Sequence, residues 1–358
     1  WSSDVCSSDL QITNTIGTKI NLNGVYNSGA TLPSGNLNYR GDIWMDISGG
    51  AFGIISGGVT NEWSTNLQTS TLTGDTHVQL SGNATAEHVI GGNNKGASTT
   101  LTGNTNVTVK DNAIVAGAII GGSTSAHNLV TTITGNTSVL VTNVQYSNTA
   151  QNLDGGLSNS YIIGGSSWSS NTTSGTTIQG STSATINLNR ITLSETEEHN
   201  SFVKTIIGGS YGNVNNAGTV NNINGDTSVS IIGREGITFT GDIIGGSFEN
   251  SGQAQYTIGG KSSISISGGS TFTGNIYGGS YSKVPGNTGS TMTTAGNITV
   301  ELGTGTYRGN IYGAGNKGTA GGDVLVSLTG GSVFGAEGEQ SGITIGGSAG
   351  AAVEGNRT

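Results

Sequence analysis

The chain has 358 residues, of which 64 are glycine, two are proline and 9% are charged, and its formal net charge is −9. Glycine and proline together stay below the roughly 25–30% that marks low-complexity disorder, so the composition favours an ordered protein. Lys and Arg total only 12 and are scattered, which excludes the basic surface that nucleic-acid binding requires. No run of eighteen apolar residues exists, so we predict no membrane-spanning helix.

The first ten residues, Trp1 to Leu10, read WSSDVCSSDL and resemble the translation of a sequencing adapter. We interpret residues 1–10 as an artefact and exclude them from reasoning about fold and function. The only cysteine, Cys6, lies in this segment, so the rest of the chain is not a scaffold held by disulfide bonds.

A Gly-Gly pair that follows an apolar dipeptide recurs nine times, at intervals of 30 to 44 residues. Periods in this range are typical of repeat proteins, in which each unit packs on its neighbours. The pairs suit corners of the chain, where we expect positive φ angles and a close backbone approach that excludes a Cβ atom. The copies, of which the eighth is imperfect, are Gly57-Gly58, Gly91-Gly92, Gly121-Gly122, Gly164-Gly165, Gly208-Gly209, Gly245-Gly246, Gly278-Gly279, Gly313-Ala314 and Gly346-Gly347.

Three short strands are predicted in each repeat. One follows a second anchor, in which Gly precedes Asp, Asn, Ser or Lys, and every second residue after it is apolar or Thr, as in Ile43, Met45 and Ile47. This period of two predicts a strand with one buried face. The second strand is the apolar dipeptide before Gly-Gly. The third, weaker strand is represented by Thr99–Thr102, Thr131–Thr134 and Thr176–Gln179.

These repeats predict an all-β fold, a right-handed parallel β-helix (β-solenoid) of about nine coils with three short strands in each. Equivalent residues of successive coils then stack at roughly 4.8 Å. We interpret residues 11–40 as an N-terminal lead-in or partial coil and residues 41–358 as β-helix repeats truncated at both ends. A series of β-sandwich hairpins is the alternative, but its Asn-Gly turn signals, at Asn23-Gly24 and Asn224-Gly225, are sparse.

A serine follows most of the Gly-Gly pairs and should form a column that hydrogen bonds along the rod. We expect this column to explain a polar face. Its members are Ser123, Ser166, Ser210, Ser247, Ser280 and Ser348.

The units Gly296 to Gly322 and Gly241 to Gln253 resemble the β-strand-repeat surface proteins of gut and host-associated bacteria. They are similar to autotransporter passenger domains with a pectin-lyase-like β-helix, and the resemblance covers roughly residues 41–350. It implies export to the bacterial cell surface, an adhesin-like or structural stalk role, and a translocator or anchor outside this chain. We expect surface glycans or proteins of a host or of bacteria as partners, and no cofactor.

Aromatic residues form the first candidate site. Tyr211, Phe248 and Tyr281 each lie one residue after a column serine on three successive coils, and Trp168 lies one residue off that register. A line of exposed rings would stack against sugars and make the chain a glycan-binding module. The alternative is a ladder of rings that only covers the rod.

Two carboxylates form the second candidate site. Asp42 and Asp75 follow equivalent glycines on adjacent coils, so we expect them to stack and to bind Ca²⁺ or act as acid and base. Equivalent positions elsewhere hold Asn104, Asn136, Ser181 and Lys261, which favours a simple turn preference instead.

Two insertions, at residues 144–160 and 190–204, account for the longest intervals between repeats. Loops on a rigid scaffold often carry function. Glu195, Glu197 and Glu198 in the second insertion make a possible cation or partner site, and a solvated acidic loop is the alternative.

The sequence shows no catalytic motif. The four histidines lie at different repeat positions, without metal-ligand spacing, and the arginines are dispersed. We therefore predict a protein that is not an enzyme and has no metal site. A carbohydrate-active β-helix related in mechanism to polysaccharide lyases or hydrolases is the alternative.

Overall fold

A computed structural model describes the chain over fifteen segments, and the strand bounds below refer to these alone. They are residues 20–24, 35–59, 67–94, 98–125, 130–143, 161–169, 175–189, 201–202, 204–213, 219–250, 254–283, 291–316, 318–335, 345–346 and 352–353. None of them forms a helix with the length and hydropathy needed to span a membrane.

Three long parallel sheets run the length of the described chain, and their strands follow one another in coil order. Most strands of sheet 1 directly precede a Gly-Gly pair. In order, the strands of sheet 1 are β1 (Ile20–Asn23), β4 (Ala51–Ser56), β7 (Thr85–Ile90), β11 (Ile119–Ile120), β15 (Tyr161–Ile163), β20 (Thr205–Ile207), β25 (Ile243–Ile244), β30 (Ile276–Tyr277), β35 (Ile311–Tyr312) and β39 (Ile345–Gly346), with β10 (Ile114–Val115) paired to β7.

Sheet 2 contains the weaker, Thr-rich strands, so the third predicted strand of each repeat is confirmed. Its strands are β2 (Gly35–Arg40), β5 (Leu67–Thr73), β8 (Ser98–Thr102), β13 (Val130–Ile133), β17 (Gly175–Ile178), β22 (Val220–Ile223), β27 (Gln255–Ile258), β32 (Met292–Thr294), β36 (Thr319–Ala320) and β40 (Ala352–Val353).

Sheet 3 contains the nine strands that follow the second anchor, in which Gly precedes Asp, Asn, Ser or Lys. They are β3 (Ile43–Ile47), β6 (Thr76–Leu80), β9 (Thr105–Lys110), β14 (Thr137–Thr142), β18 (Thr182–Asn187), β23 (Thr227–Ile232), β28 (Ser262–Ser267), β33 (Ile298–Leu302) and β37 (Val324–Leu328). One strand from each of sheets 2, 3 and 1 completes a coil, which confirms the parallel β-helix of about nine coils.

Two short sheets were not predicted. Sheet 4 follows the Gly-Gly corners and sheet 5 precedes sheet 1 in the later coils, and all of their strands have only two or three residues. Sheet 4 contains β12 (Thr124–Ser125), β16 (Ser167–Ser169), β21 (Tyr211–Asn213), β26 (Phe248–Glu249) and β31 (Tyr281–Ser282). Sheet 5 contains β19 (Ser201–Phe202), β24 (Thr238–Phe239), β29 (Thr271–Phe272), β34 (Gly305–Tyr307) and β38 (Ser332–Phe334).

The core consists of the inward residues of successive coils, stacked on their equivalents. In sheet 3 the buried positions alternate with partly exposed ones, as in Thr105–Lys110. Val107 pairs with Val139, which in turn pairs with Ala184, and all three are buried. Each new coil therefore buries its apolar face on the coil before it, as expected of a solenoid.

The Gly-Gly pairs form corners at which the backbones of neighbouring coils approach closely. The prediction of positive φ angles at these pairs was wrong. A Cβ atom on Gly91 would lie 2.2 Å from the carbonyl oxygen of Gly121 in the next coil, which leaves no room for a side chain. Positive φ angles occur instead at the first three glycines of the second anchor, with values of 132° at Gly41, 139° at Gly74 and 151° at Gly103. A close backbone approach excludes a side chain at this anchor as well, since a Cβ atom on Gly74 would lie 2.2 Å from the carbonyl oxygen of Gly41.

The serine column hydrogen bonds along the rod, as predicted. The backbone N–H of Ser123 donates to Ser166 Oγ at 3.1 Å, and Ser166 N–H donates to Ser210 Oγ at 3.1 Å. The same contact continues to Ser247 and Ser280. These serines are buried, so they do not form the polar face we expected. Ser348 lies outside the described residues.

Candidate functional site

The outward face of sheet 3 carries an aromatic and polar group on the first three coils. Since Ile43, Met45 and Ile47 occupy alternate positions of β3, the residues between them point to the other face of the sheet. Trp44 pairs with His77 of β6, and His77 pairs with Asn106 of β9. These three residues form one column along the rod.

The two rings of this column stack on each other at the surface. The centroids of Trp44 and His77 are 3.8 Å apart with an interplanar angle of 10°. Asn106 Nδ2 lies 3.4 Å from His77 Nδ1, within hydrogen-bonding distance, and Ser138 Oγ donates to Asn106 Oδ1 at 2.8 Å. Trp44 nevertheless remains 58% exposed. The indole is thus held in place by its neighbours while much of its surface meets solvent.

A parallel polar column lies two residues further along the same strands. Asp46 pairs with Gln79, which pairs with Thr108. Gln79 Nε2 donates to Asp46 Oδ1 at 2.8 Å. The two columns border a hollow of about 200 Å³, with Met45 and Val78 of the strands between them. We call it the Trp44 hollow, and its side walls are Trp44, Asp46, His77, Gln79, Asn106 and Thr108.

The sequence carries a signal for this site in the alternation of β3. The alternation that placed Ile43, Met45 and Ile47 on the buried face also requires Trp44 and Asp46 to face outwards. A tryptophan at an outward strand position places a large apolar surface in contact with solvent. The pairing with His77 and Gln79 could not be read without the strand register.

The structure brings Asp42 and Asp75 together, and it gives both a structural task. Asp75 N–H donates to Asp42 Oδ1 at 2.8 Å, and Asn104 N–H donates to Asp75 Oδ1 at 2.7 Å. The backbone hydrogen bond from Asn104 is the main reason why the pKa of Asp75 lies below its usual value, and His77 contributes a smaller electrostatic effect. Both carboxylates therefore accept a backbone N–H, which favours the turn interpretation.

This contact starts a ladder of hydrogen bonds that passes through Asp, Asn and Ser side chains of successive coils. We call it the Asx ladder. Asn136 N–H donates to Asn104 Oδ1 and Ser181 N–H to Asn136 Oδ1, at 2.8 and 2.7 Å. The ladder continues through Asp226 to Lys261, whose side chain has no acceptor for the next coil. The positions from Asp42 to Asp226 share a side-chain oxygen that accepts the backbone N–H of the next coil.

The predicted aromatic register is confirmed, but the predicted exposure was wrong for two of the three rings. Tyr211 pairs with Phe248, and Phe248 pairs with Tyr281. Tyr211 and Phe248 are buried because sheet 4 turns them into the corner of the coil, where they pack with Tyr161. Burial raises the pKa of Tyr211 far above its usual value. Only Tyr281 is partly exposed.

The remaining predicted site residues fall mostly outside the described chain. Trp168 pairs with Gly212, one residue off the ring register as expected, but its side chain is not among the described ones. Glu195, Glu197 and Glu198 lie outside the described residues, as does the whole insertion 144–160. His127 and His199 also lie outside the described residues, so the predicted lack of metal-ligand spacing among the four histidines is not tested.

Three buried ionisable groups were not singled out from the sequence. Lys204 Nζ donates to the carbonyl oxygens of Ala116 and Gly117, at 3.2 and 2.5 Å, and burial lowers the pKa of Lys204 to about 7. Tyr256 donates its hydroxyl hydrogen to the buried carboxylate of Glu249. Burial and this carboxylate together raise the pKa of Tyr256 well above its usual value.

His88 is also buried, and its Nδ1 accepts the backbone N–H of Ala118 at 3.0 Å. Over the described ranges, no three His, Cys, Asp or Glu side chains form a group that could hold a metal ion.

The fold defines the class of this chain as a parallel β-helix. Comparison with protein-family models, curated proteins and solved structures found no match to it.

Proposed function

We propose that this chain is an adhesin-like rod on a bacterial cell surface and that it acts by binding rather than by catalysis. The observation that carries the proposal is the Trp44 hollow on the outer side of sheet 3. An indole that is 58% exposed and stacked on His77 is an apolar contact surface held on a rigid parallel sheet.

The use of the carboxylates also supports binding rather than catalysis. Asp42, Asp75 and Asp226 each accept a backbone N–H of the next coil. A general acid or base needs an oxygen that is free to reach substrate, and a carboxylate that accepts a structural hydrogen bond is less suited to that work.

A structural stalk is the second candidate, favoured by the ladders that connect the coils. The serine column, the Asx ladder and the continuous sheets all join each coil to the next. In a one-dimensional repeat protein such nearest-neighbour contacts supply the stability of the rod. A stalk needs these ladders, but it does not need an exposed tryptophan.

Adhesion under flow tests the proposal. Beads coated with the full chain should be retained on a surface of intestinal mucin, whereas beads coated with albumin should wash off. Loss of the coated beads would contradict an adhesin-like function and favour the stalk. Release of reducing ends from a panel of soluble polysaccharides by the full chain would instead favour the carbohydrate-active enzyme.

A further inference from the structure

We infer that the Trp44 hollow binds one uncharged sugar ring, as the terminal residue of a neutral glycan. This inference rests on the proposed adhesin-like function and names the ligand class for its site.

The size of the hollow limits the ligand. Pockets for drug-sized molecules measure roughly 300–1,000 Å³. The Trp44 hollow, at about 200 Å³, holds a group on the scale of a single ring. It crosses only coils 1 to 3, because Trp44, His77 and Asn106 belong to three successive strands of sheet 3.

The lining groups match a ligand that has both hydroxyl groups and an apolar C–H surface. Asp46 contributes acceptors, while Gln79, Asn106 and Thr108 each contain donor and acceptor atoms. The hydroxyl groups of a sugar can hydrogen bond to both the donors and the acceptors of the hollow. Trp44 supplies the apolar side, against which C–H groups lose contact with water. An apolar ligand would remove the polar column from contact with water without offering it hydrogen bonds in return, which carries a cost in free energy.

The negative charge around the hollow disfavours acidic sugars. Asp46 borders the hollow, and Asp42 and Asp75 lie at the adjoining corner, where Asp75 interacts electrostatically with His77. Lys110 lies on the same strand as Thr108, but its ammonium group is 4.0 Å from the carboxylate of Asp111. A uronic or sialic acid would bring a further negative charge to this region, which is unfavourable. We therefore assign the hollow to uncharged sugars.

The far end of the Trp44 column offers a matched control. Leu325 lies in the same column on the ninth coil, and it is 40% exposed. Substituting Leu325→Ala removes exposed apolar surface from the same sheet without touching the hollow.

A glycan array tests the inference, with the full chain, Trp44→Ala, Trp44→Phe, Asp46→Asn and Leu325→Ala as probes of immobilised neutral and acidic glycans. The wild-type chain and Leu325→Ala should bind glycans with terminal glucose, galactose, mannose or N-acetylhexosamine. Trp44→Ala should lower the affinity by about tenfold, and Trp44→Phe by less, because a ring is kept. Asp46→Asn should bring terminal uronic and sialic acids closer in affinity to the neutral sugars.

Three results would overturn the inference, and the bead assay separates it from the proposed function. If Trp44→Ala binds as the wild-type chain does, or if acidic glycans bind best, the assignment of the hollow is wrong. If beads are retained on mucin while no neutral glycan binds, the adhesin-like function stands and the sugar assignment falls. If beads are not retained either, both fall. Thermal unfolding of each variant shows whether a loss of binding reflects a loss of fold.

Discussion

The same outward column of sheet 3 has two different characters along the rod. On coils 1 to 3 it contains Trp44, His77 and Asn106, and together with the polar column it forms a hollow. On the next four coils it contains only serine, at Ser138, Ser183, Ser228 and Ser263. The backbone pairing is the same in both regions. Inward residues therefore specify the coil, whereas outward residues are free to specify a contact.

A second comparison, between two sets of aromatic rings, leads to the same conclusion. Trp44 is exposed at the surface, whereas Phe202, Phe239 and Phe272 of sheet 5 are buried and stacked through successive coils. If this division is right, substitutions inside the rod should change stability, and substitutions in the Trp44 hollow should change binding.

The largest effect is expected at Lys204, and it depends on pH. Burial lowers the pKa of Lys204 to about 7, against 10.5 in its ordinary state. Between pH 10.5 and 7 the unfolded chain takes up a proton that the folded chain does not, so stability falls as the pH falls. The free energy of unfolding of the wild-type chain, relative to Lys204→Met, should thus rise by roughly 4–5 kcal/mol from pH 7 to 10.5.

Denaturant unfolding of both proteins across this pH range is the measurement. The substitution Lys261→Met is the control, because Lys261 is exposed. A difference between wild type and Lys204→Met that stays constant with pH would show that Lys204 is not buried as described.

Next in size is the contrast between buried and exposed rings. Phe239 lies between Phe202 and Phe272, with ring centroids 4.7 and 4.9 Å away. Phe239→Ala should lower the free energy of unfolding by about 3–4 kcal/mol, because it leaves a cavity in the core. Trp44→Ala should cost about 1 kcal/mol or less, since it loses only a surface stack. Equal losses in the two variants would contradict the division between interior and surface.

The first glycine of a Gly-Gly corner should tolerate no side chain. Gly91→Ala should destabilise the chain by about 3 kcal/mol, because its Cβ atom would meet the backbone of the next coil. Gly49→Ala is the control, since a Cβ atom there meets no atom within 4 Å. The melting temperatures of the two variants provide the comparison. If Gly91→Ala and Gly49→Ala have the same melting temperature, the coils are not stacked as closely as described.

The smallest effect is expected in the Asx ladder. Asp75→Ala removes an acceptor of the Asn104 N–H and should cost about 1 kcal/mol, whereas Asp75→Asn keeps an oxygen there. The pKa of Asp75 is lowered in the folded chain, so its charge stabilises the fold above its ordinary pKa. That contribution is lost as the pH falls through the lowered value. Asp75→Asn should therefore be less sensitive to acid than the wild-type chain, as measured by unfolding at pH 2 to 7.

Much of the fold could be predicted from the sequence because its signals are local and repeated. Alternating strands such as Thr105–Lys110 and the spacing of Gly-Gly pairs gave the coils and the three long sheets. Sheets 4 and 5 could not be predicted, since a strand such as Thr238–Phe239 is too short to show a period of two.

The candidate site was harder to predict, for a physical reason that differs between residues. Tyr211 occupies the predicted register, but its burial depends on how sheet 4 turns at the corner, which the sequence does not encode in a local pattern. Lys204 reaches Gly117 across an intervening coil, and such long-range contacts leave no periodic signal. The outward position of Trp44, by contrast, could be predicted from the alternation of apolar residues in β3.

The most direct measurement compares the two regions of the outward column in one adhesion experiment. Beads coated with the wild-type chain, with Trp44→Ala or with Ser228→Ala would be held on mucin under increasing flow. We expect Ser228→Ala beads to detach at the same flow as wild type and Trp44→Ala beads to detach at a much lower flow. Equal detachment of all three would show that the Trp44 hollow does not carry the adhesion.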